Sequence, residues 1–177
     1  MTDLETLRYP VGRFERVTQP LDRAARDAHI DTIERAPARF RSLVASLSDA
    51  QLDTPYRPGG WTIRQVVHHV PDSHMNAYIR MKLAVTEDNP RITTYEEQLW
   101  AEFPEAKHGQ VDVSLTLLDA LHRRWVAFLR ALPDAEFRRT FQHKDMGTVS
   151  VEEAVAMYAW HCRHHAAHVE QALAATA

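Results

Sequence analysis

The sequence predicts an all-α fold, a four-helix bundle with a long crossover between helices 2 and 3 and a short hairpin before helix 4. Four segments repeat apolar residues at steps of three and four, which is the period of an amphipathic helix. Two capping-box sequences mark sharp helix starts, and a long charged connection separates the middle pair of helices. The 177 residues, of which 45% are hydrophobic, fit one domain spanning residues 1–177.

The first helix is predicted from about Leu21 to Leu47, after an N-terminal stretch that shows no sustained period. We expect that stretch, residues 1–21, to be an extended arm that packs over another element. Pro37 falls inside the helix and should kink or split it, because proline lacks an amide donor. Residues 56–60, with one proline and two glycines, predict a turn before the second helix.

Thr62 and Gln65 have the spacing of a capping box and predict the start of a second helix that runs to about Thr86. Pro71 removes one amide donor, but the apolar period continues past it, so we expect a kink and not a stop. The connection over residues 87–112 is long enough for the third helix to start from the far end of the bundle.

The third helix is predicted over about Ser114–Leu132, with Leu117 on its apolar stripe. Residues 137–148 alternate apolar and polar side chains around a glycine turn, which is compatible with a short hairpin. Ser150 and Glu153 then repeat the capping-box spacing and open the final helix.

Four histidines fall within eight residues of the final helix. At about 100° per residue, His161 and His165 lie one turn apart on one face, His168 falls roughly 20° from His161, and His164 points in another direction. Imidazoles at i and i+4 can bind one cation with metal–nitrogen distances of about 2.0–2.1 Å, so this face predicts a metal site. The alternative is an exposed tail whose histidines are hydrogen-bonded to solvent.

The second helix offers a third metal ligand. Four polar residues share a narrow range of helical-wheel angles, about 220 to 280° from Ile63, and form a polar edge beside the apolar stripe. They are His69, Ser73, Asn76 and Arg80. This edge is the natural partner of the histidine face on the last helix, because metal sites in bundles are built from facing helices. His69 is therefore predicted to complete the ligand set.

Other candidate residues in these helices have plainer interpretations. His68 points about 100° away from the polar edge, and His74 lies in the middle of the apolar stripe, where a hydrogen-bonded core histidine is expected. His122 is expected at the surface or beside the site. Cys162 lies near the centre of the apolar stripe and is expected to be a packed, inert thiol. It also occupies the glutamate position of the H-E-x-x-H pattern, which disfavours a metalloprotease.

Three neutral imidazoles leave at least one coordination position open for water or substrate, as in a catalytic zinc site. Nitrogen ligands favour zinc or nickel over calcium and magnesium, which prefer oxygen. A cation bound in this way can lower the pKa of a water or of a thiol. Two reactions are open at this point, hydrolysis by a metal-bound hydroxide and group transfer to a metal-bound thiolate.

Composition and charge disfavour several other classes of protein. The net charge of −3 and the pI near 6.4 give no electrostatic support for binding nucleic acid or an anionic membrane. The N-terminus lacks the blocks of a secretory signal, and no apolar run approaches the roughly 18 residues of a membrane span, so a cytoplasmic protein is expected. The single cysteine suits a reducing compartment. Only one pair of glycines is adjacent, so a phosphate-binding glycine-rich loop is not predicted.

Sequence motifs across nearly the whole chain resemble the DinB/YfiT-like superfamily, and within it the YfiT, or bacillithiol S-transferase, branch. The matching runs are residues 9–12, 51–57, 61–69 and 72–80, and Trp160–His161 with His165. The resemblance implies a metal-binding four-helix bundle, often a homodimer, with His69, His161 and His165 as ligands. Pro71 departs from the family pattern, in which a better helix former is usual.

The resemblance also implies a function. We favour a metal-dependent transferase that activates a low-molecular-weight thiol, bacillithiol or a similar one, for conjugation to electrophiles. A metal-dependent hydrolase is the first alternative, and a non-catalytic module that binds a metal or small molecule is the second. Bacillithiol is a sugar–malate thiol, so its transferase needs a cation beside the pocket. Arg80 is the best candidate for that role, with Asn76 and Ser73 beside it as further substrate-binding residues, and His168 is expected to orient the site without binding the metal.

Overall fold

The computed structural model describes residues 4–175 of the chain, so the first three residues of the predicted arm and the last two residues lie outside the described part. Its helices are α1 (Leu4–Arg8), α2 (Arg23–Val44), α3 (Asp49–Leu52), α4 (Ile63–Thr86), α5 (Glu97–Trp100), α6 (Pro104–His108), α7 (Val111–Ala131) and α8 (Val151–Ala174). A 3₁₀ helix (Asp134–Arg138) and an antiparallel hairpin of β1 (Thr140–His143) and β2 (Gly147–Ser150) lie between α7 and α8. The predicted hairpin is therefore confirmed.

The four long helices α2, α4, α7 and α8 form a bundle in which α2 and α4 each pack against both α7 and α8. Contacts between α4 and α7 advance in the same direction along both helices, from His68 with Ser114 to His74 with His122, so this pair is parallel. The crossover between them therefore returns the chain to the end at which α4 begins. The predicted bundle and its long crossover are both confirmed.

The two predicted capping boxes have different outcomes. At α4 the box is complete, because Thr62 Oγ1 accepts from the amide of Gln65 at 3.2 Å and Gln65 Oε1 accepts from the amide of Thr62 at 2.9 Å. At α8 the Ser150 hydroxyl accepts from the amide of Glu153 at 3.1 Å, but the Glu153 carboxylate bonds to the guanidinium of Arg16 at 2.6 Å. The second half of that box was predicted wrongly, because a charged donor is a stronger partner for a carboxylate than a backbone amide.

Neither proline ends its helix. The helix α2 continues through Pro37 to Val44, so the prediction of a split is wrong, and α4 continues through Pro71 to Thr86, as expected. Proline has no amide proton, so the carbonyl four residues before Pro37, that of Ile33, has no donor from its own helix. That carbonyl is used by another element, as described below.

The stripe that α7 buries differs from the prediction. Leu117 was placed on the stripe but is 40% exposed, whereas His122 is only 1% exposed. The interpretation of His122 as a surface residue is therefore wrong. The centre of the observed stripe consists of Leu115, Leu118, His122, Trp125 and Leu129, and Leu121 and Val126 are buried beside it. Its steps of three and four residues place His122 in the bundle core.

The N-terminal arm packs over α8, as the sequence predicts, although it begins with the short helix α1 and is not extended throughout. The indole of Trp160 donates to the carbonyl of Gly12 at 3.0 Å, and the side-chain amide of Gln171 donates to the carbonyl of Leu7 at 3.2 Å. Arg16 adds its ion pair at the start of α8. The arm therefore covers the helix that carries the histidines. Between residues 4 and 175 no helix is both long and apolar enough to cross a membrane.

Candidate metal centre

The three predicted metal ligands meet between α4 and α8. The ring centroid of His69 lies 5.4 Å from that of His161 and 4.9 Å from that of His165, and the two α8 rings are 4.4 Å apart. One nitrogen from each of the three rings lies within 4.8 Å of the other two. His69 and His165 are only 8% and 7% exposed, so the alternative of a solvent-exposed histidine tail is wrong.

The chemistry of this donor set fits a nitrogen-preferring divalent cation. Burial lowers the pKa of His69 to about 4, with a further contribution from His168, and burial followed by neighbouring histidines lowers the pKa of His161 and His165 well below the ordinary value. All three rings are therefore neutral near pH 7, which is the form that binds metal. Neutral imidazole nitrogens are ligands that zinc and nickel would accept, whereas calcium and magnesium prefer oxygen.

A second group of histidines, His164, His165 and His168, also has nitrogens within 4.8 Å of one another. Both nitrogens of His168 are already engaged, one 3.3 Å from His165 Nδ1 and the other 3.1 Å from the carbonyl oxygen of Arg8. A cation bound through either nitrogen of His168 would displace one of these two hydrogen bonds. The group with His69 leaves them intact, so it is the better site.

His164 does not point away from the site as expected. Its ring stacks on Trp160 with centroids 4.3 Å apart, and it is 7% exposed and lines the same pocket as the three ligands. His168 also lines this pocket and is covered by Tyr56, whose ring stacks on it at 3.9 Å. The pocket has a volume of about 440 Å³.

Two of the three predicted substrate-binding residues line the pocket. Ser73 and Arg80 lie on its wall, whereas Asn76 is not part of its described lining and donates to the carbonyl of Asp72 at 2.9 Å. The proposed role of Asn76 therefore loses its structural support, because its position lies at the edge of the polar face and its amide bonds to its own helix.

The wall around Arg80 includes two tyrosines that the sequence did not indicate as site residues, Tyr95 and Tyr158. Burial raises the pKa of both phenols, and the neighbouring Ser73 partly offsets that rise. Tyr158 lies three residues before His161 on α8, so the helical period could have placed it here. Tyr95 lies in the crossover, whose path over the pocket has no signal in the local sequence.

Three buried side-chain atoms in the described part of the chain lack a hydrogen-bond partner, namely Arg57 Nε, Arg80 Nε and His164 Nδ1. All three belong to side chains that line this one pocket. Arg80 is 9% exposed, and its Nη2 donates to the carbonyl of Thr93 at 2.8 Å, which leaves its Nε free. Buried donors are nearly always satisfied in folded proteins, so unsatisfied ones at one pocket indicate a place for a polar ligand.

Other residues that were singled out are placed as follows. His68 is buried away from the site, with Nδ1 2.7 Å from the Ser114 hydroxyl. His74 is a hydrogen-bonded core histidine, as expected, between His122 and His161. Cys162 is 3% exposed, and burial raises the pKa of its thiol to about 12, which agrees with a packed, unreactive cysteine.

Comparison with protein families identifies the family of the chain and agrees with its fold. The model of the DinB superfamily matches residues 32–169, which covers the bundle from within α2 to α8 and includes all three predicted ligands. The chain belongs to the DinB superfamily. Within that superfamily it is 50% identical over 166 residues to one protein of Bacillus cereus and to one of Bacillus mycoides. Each alignment covers 94% of this chain and 95% of the relative, and the names of both relatives describe candidate metal-dependent hydrolases.

Solved structures give the same fold for this DinB chain. YfiT from Bacillus subtilis, described as a candidate metal-dependent hydrolase with an unusual four-helix bundle topology, superposes with a TM-score of 0.94 at 43% identity. That match covers 97% of this chain and 98% of YfiT. TT2238, described as a four-helix bundle protein, matches with a TM-score of 0.57 at 20% identity over 82% of this chain and 98% of its own, which shows the fold alone.

Proposed function

We propose that the chain is a metal-dependent transferase that conjugates a low-molecular-weight thiol, bacillithiol or a similar one, to an electrophile. His69, His161 and His165 would hold the cation, zinc or nickel. The names of the close relatives support metal dependence. The observation that carries the proposal for this chain is the pocket itself, in which the three histidines and the side chains of Arg57 and Arg80 line one cavity.

The two arginines indicate the class of molecule that the pocket takes. Arg80 lies with Ser73 and Tyr158 on one side of the histidines, and Arg57 lies beside Tyr56, which covers His168 on the other side. Guanidinium donors recognise carboxylates strongly, especially where water is excluded. A thiol that carries carboxylates, as a sugar–malate thiol does, would therefore find a charged partner on each side of the metal centre.

A bound cation would lower the pKa of a thiol or a water that coordinates to it. The conjugation then balances simply: the thiol loses its proton to solvent, its sulfur forms a bond to the electrophilic carbon, and the leaving group departs with the electron pair of its former bond. The chain's own residues bind and orient the thiol through Arg57 and Arg80, and Tyr56 and Trp61 shield the histidines from water.

A hydrolase is the second candidate, and the names of the relatives favour it. Metal-dependent hydrolases commonly use a carboxylate as the general base beside the metal, as in the H-E-x-x-H enzymes. Among the described residues, the two groups with metal-binding geometry contain only histidines, and the acidic residues of the pocket, Glu97 and Asp145, join neither. Transfer from a thiol needs no such base once the pKa of the thiol is lowered.

A conjugation assay separates the two functions. The zinc-loaded and nickel-loaded protein is mixed with monochlorobimane and with bacillithiol, cysteine or mycothiol, and thiol-dependent product formation is measured. Faster conjugation than in the metal-free protein supports the transferase. Consumption of esters or amides without any thiol, together with no conjugation, would establish the hydrolase. Tight binding of a small molecule without either reaction would establish a non-catalytic module.

The oligomeric state and the binding partners of the chain are also proposals. The resemblance implies a homodimer, and light scattering of the purified protein measures its mass directly. Partners other than a small thiol and an electrophile are not proposed, and neither nucleic acid nor a membrane is expected to bind.

A further inference from the structure

Three hydrogen-bonded histidines form a line from α2 through the bundle core to the candidate metal centre. Nδ1 of His122 lies 2.6 Å from the carbonyl oxygen of Ile33 on α2. Nε2 of His122 lies 2.7 Å from Nδ1 of His74, and Nε2 of His74 lies 3.0 Å from Nδ1 of His161. The line, here called the histidine relay, consists of His122, His74 and His161.

The carbonyl at one end fixes the proton positions along the whole relay. A carbonyl oxygen can only accept, so Nδ1 of His122 must carry the proton, and a neutral ring then accepts at Nε2. His74 therefore donates from Nδ1 and accepts at Nε2, which requires His161 to donate from its own Nδ1. His122 and His74 are 1% and 0% exposed, and burial disfavours a charged ring, so both rings are neutral in this line. Nε2 of His161 keeps its lone pair.

The carbonyl of Ile33 is free to anchor the relay because of Pro37. In a regular α-helix the amide four residues ahead donates to each carbonyl, but proline has no amide proton. The helix α2 is continuous through this proline, so the carbonyl would otherwise be buried without a partner. The imidazole of His122 from α7 supplies the missing donor.

We propose that His122 and His74 are positioning residues that hold His161 in the Nδ1–H tautomer, so that its Nε2 faces the cation. The proposal rests on the metal centre assigned above. A core of apolar side chains would pack the same space without five ring nitrogens that need hydrogen-bond partners, so packing alone does not account for this arrangement. A histidine ligand whose second nitrogen donates to a fixed acceptor has its tautomer and ring orientation set, and the relay extends that control from the ligand to a backbone carbonyl.

Nuclear magnetic resonance of protein labelled with ¹⁵N-histidine tests the tautomers directly. Long-range ¹H–¹⁵N spectra are recorded for the metal-free protein and again after addition of zinc. We expect His122, His74 and His161 to be Nδ1–H tautomers in both states, with the zinc-induced shift of His161 at Nε2. A proton on Nε2 of any of the three in the metal-free protein would overturn the relay. The metal-free spectra do not depend on zinc, so a failure to bind zinc would count against the metal centre and not against the tautomers.

A matched pair of variants tests whether the relay matters for the site. His122→Leu removes both ring nitrogens, whereas His122→Gln keeps one donor and one acceptor. We expect the zinc dissociation constant, measured by competition with a chelator, to rise about 10- to 100-fold in His122→Leu and by only a few-fold in His122→Gln. Circular dichroism checks that both fold. If both variants fold and bind zinc with the same affinity, the proposal is overturned. If His122→Leu does not fold, the tautomers in the spectra of the unaltered protein still test the proposal.

Discussion

The Nδ1 atom of His168 lies 3.3 Å from the Nδ1 atom of His165, one turn back on α8. The other ring nitrogen of His168 lies 3.1 Å from the carbonyl oxygen of Arg8, which can only accept a hydrogen bond. A neutral His168 therefore donates from Nε2 and accepts at Nδ1. His165 then donates from Nδ1 and keeps the lone pair of Nε2 for a cation, while His168 has no lone pair left.

The first prediction is that His168→Gln retains the metal but lowers the conjugation rate about 10- to 100-fold, because an orienting partner of a ligand is lost. Metal analysis and the conjugation assay measure the two effects on the same sample. Loss of the metal from this variant would mean that four histidines close the site, and the catalytic interpretation would then have to be abandoned or rebuilt around another pocket.

The second prediction concerns the ligands. The purified protein should bind about one divalent transition metal per chain, and alanine at His69, His161 or His165 should abolish binding, because two imidazoles are a poor site. Elemental analysis of each variant after dialysis against zinc gives the occupancy.

The matched controls for the ligand variants are His68→Ala and His164→Ala, which should keep the metal, together with the exposed His108→Ala. Metal loss in His164→Ala would move the site to the second histidine group. Full occupancy in any one of the three ligand variants would remove that residue from the site.

The third prediction is that Arg80→Gln raises the KM for a carboxylate-bearing thiol about 10- to 100-fold, since a charged hydrogen bond is lost. The KM for an uncharged thiol such as 2-mercaptoethanol should stay nearly the same. The exposed Arg123→Gln on α7 is the control for a loss of positive charge without a loss of contact. An equal rise of KM for both thiols would show that Arg80 supports the fold and does not recognise the anion.

The fourth prediction concerns pH. Burial lowers the pKa of His69, His122 and His168 to about 4, so the folded, metal-free chain cannot take up protons that the unfolded chain accepts near pH 6.5. The free energy of unfolding should therefore be highest above pH 6.5 and fall as the pH drops toward 4, by up to about 1.4 kcal/mol per pH unit for each such histidine. Urea titrations at several pH values measure this slope, and His122→Leu should make it shallower. A free energy of unfolding that stays constant over this range would contradict the burial of these rings.

The fifth prediction concerns the thiol of Cys162, the only cysteine of the chain. It is buried, and its pKa is raised to about 12, so it should react with Ellman's reagent only after denaturation. The native protein should therefore add no background to the conjugation assay. Rapid labelling of the native protein would show that α8 opens at this position.

Much of the fold, and the proximity of the three candidate ligands, can be predicted from local patterns in the sequence. The Thr62 and Gln65 pair defines the start of α4, and the helical angle alone brings His69 toward His161 and His165. These features depend on the period of a single helix and on one facing neighbour. The predictions that rest on them therefore agree with the structure.

Features that depend on the mutual arrangement of several helices could not be predicted in this way. The bond from His122 to Ile33 requires α7 to lie beside α2, and no local pattern gives that adjacency. Tyr95 reaches the pocket along an irregular crossover, for the same reason. Leu117 was misplaced because a leucine-rich helix allows more than one apolar stripe, and only its neighbours select between them.

Pro37 has a consequence for anyone who engineers this protein for heat resistance. A proline inside a helix costs roughly 3 kcal/mol relative to alanine, so Pro37→Ala is an obvious choice for a stabilised variant. The new amide of residue 37 would, however, compete with His122 for the carbonyl of Ile33. The melting temperature is then expected to rise while the affinity for zinc falls, which places a trade-off between robustness and function at a position that touches neither substrate nor metal.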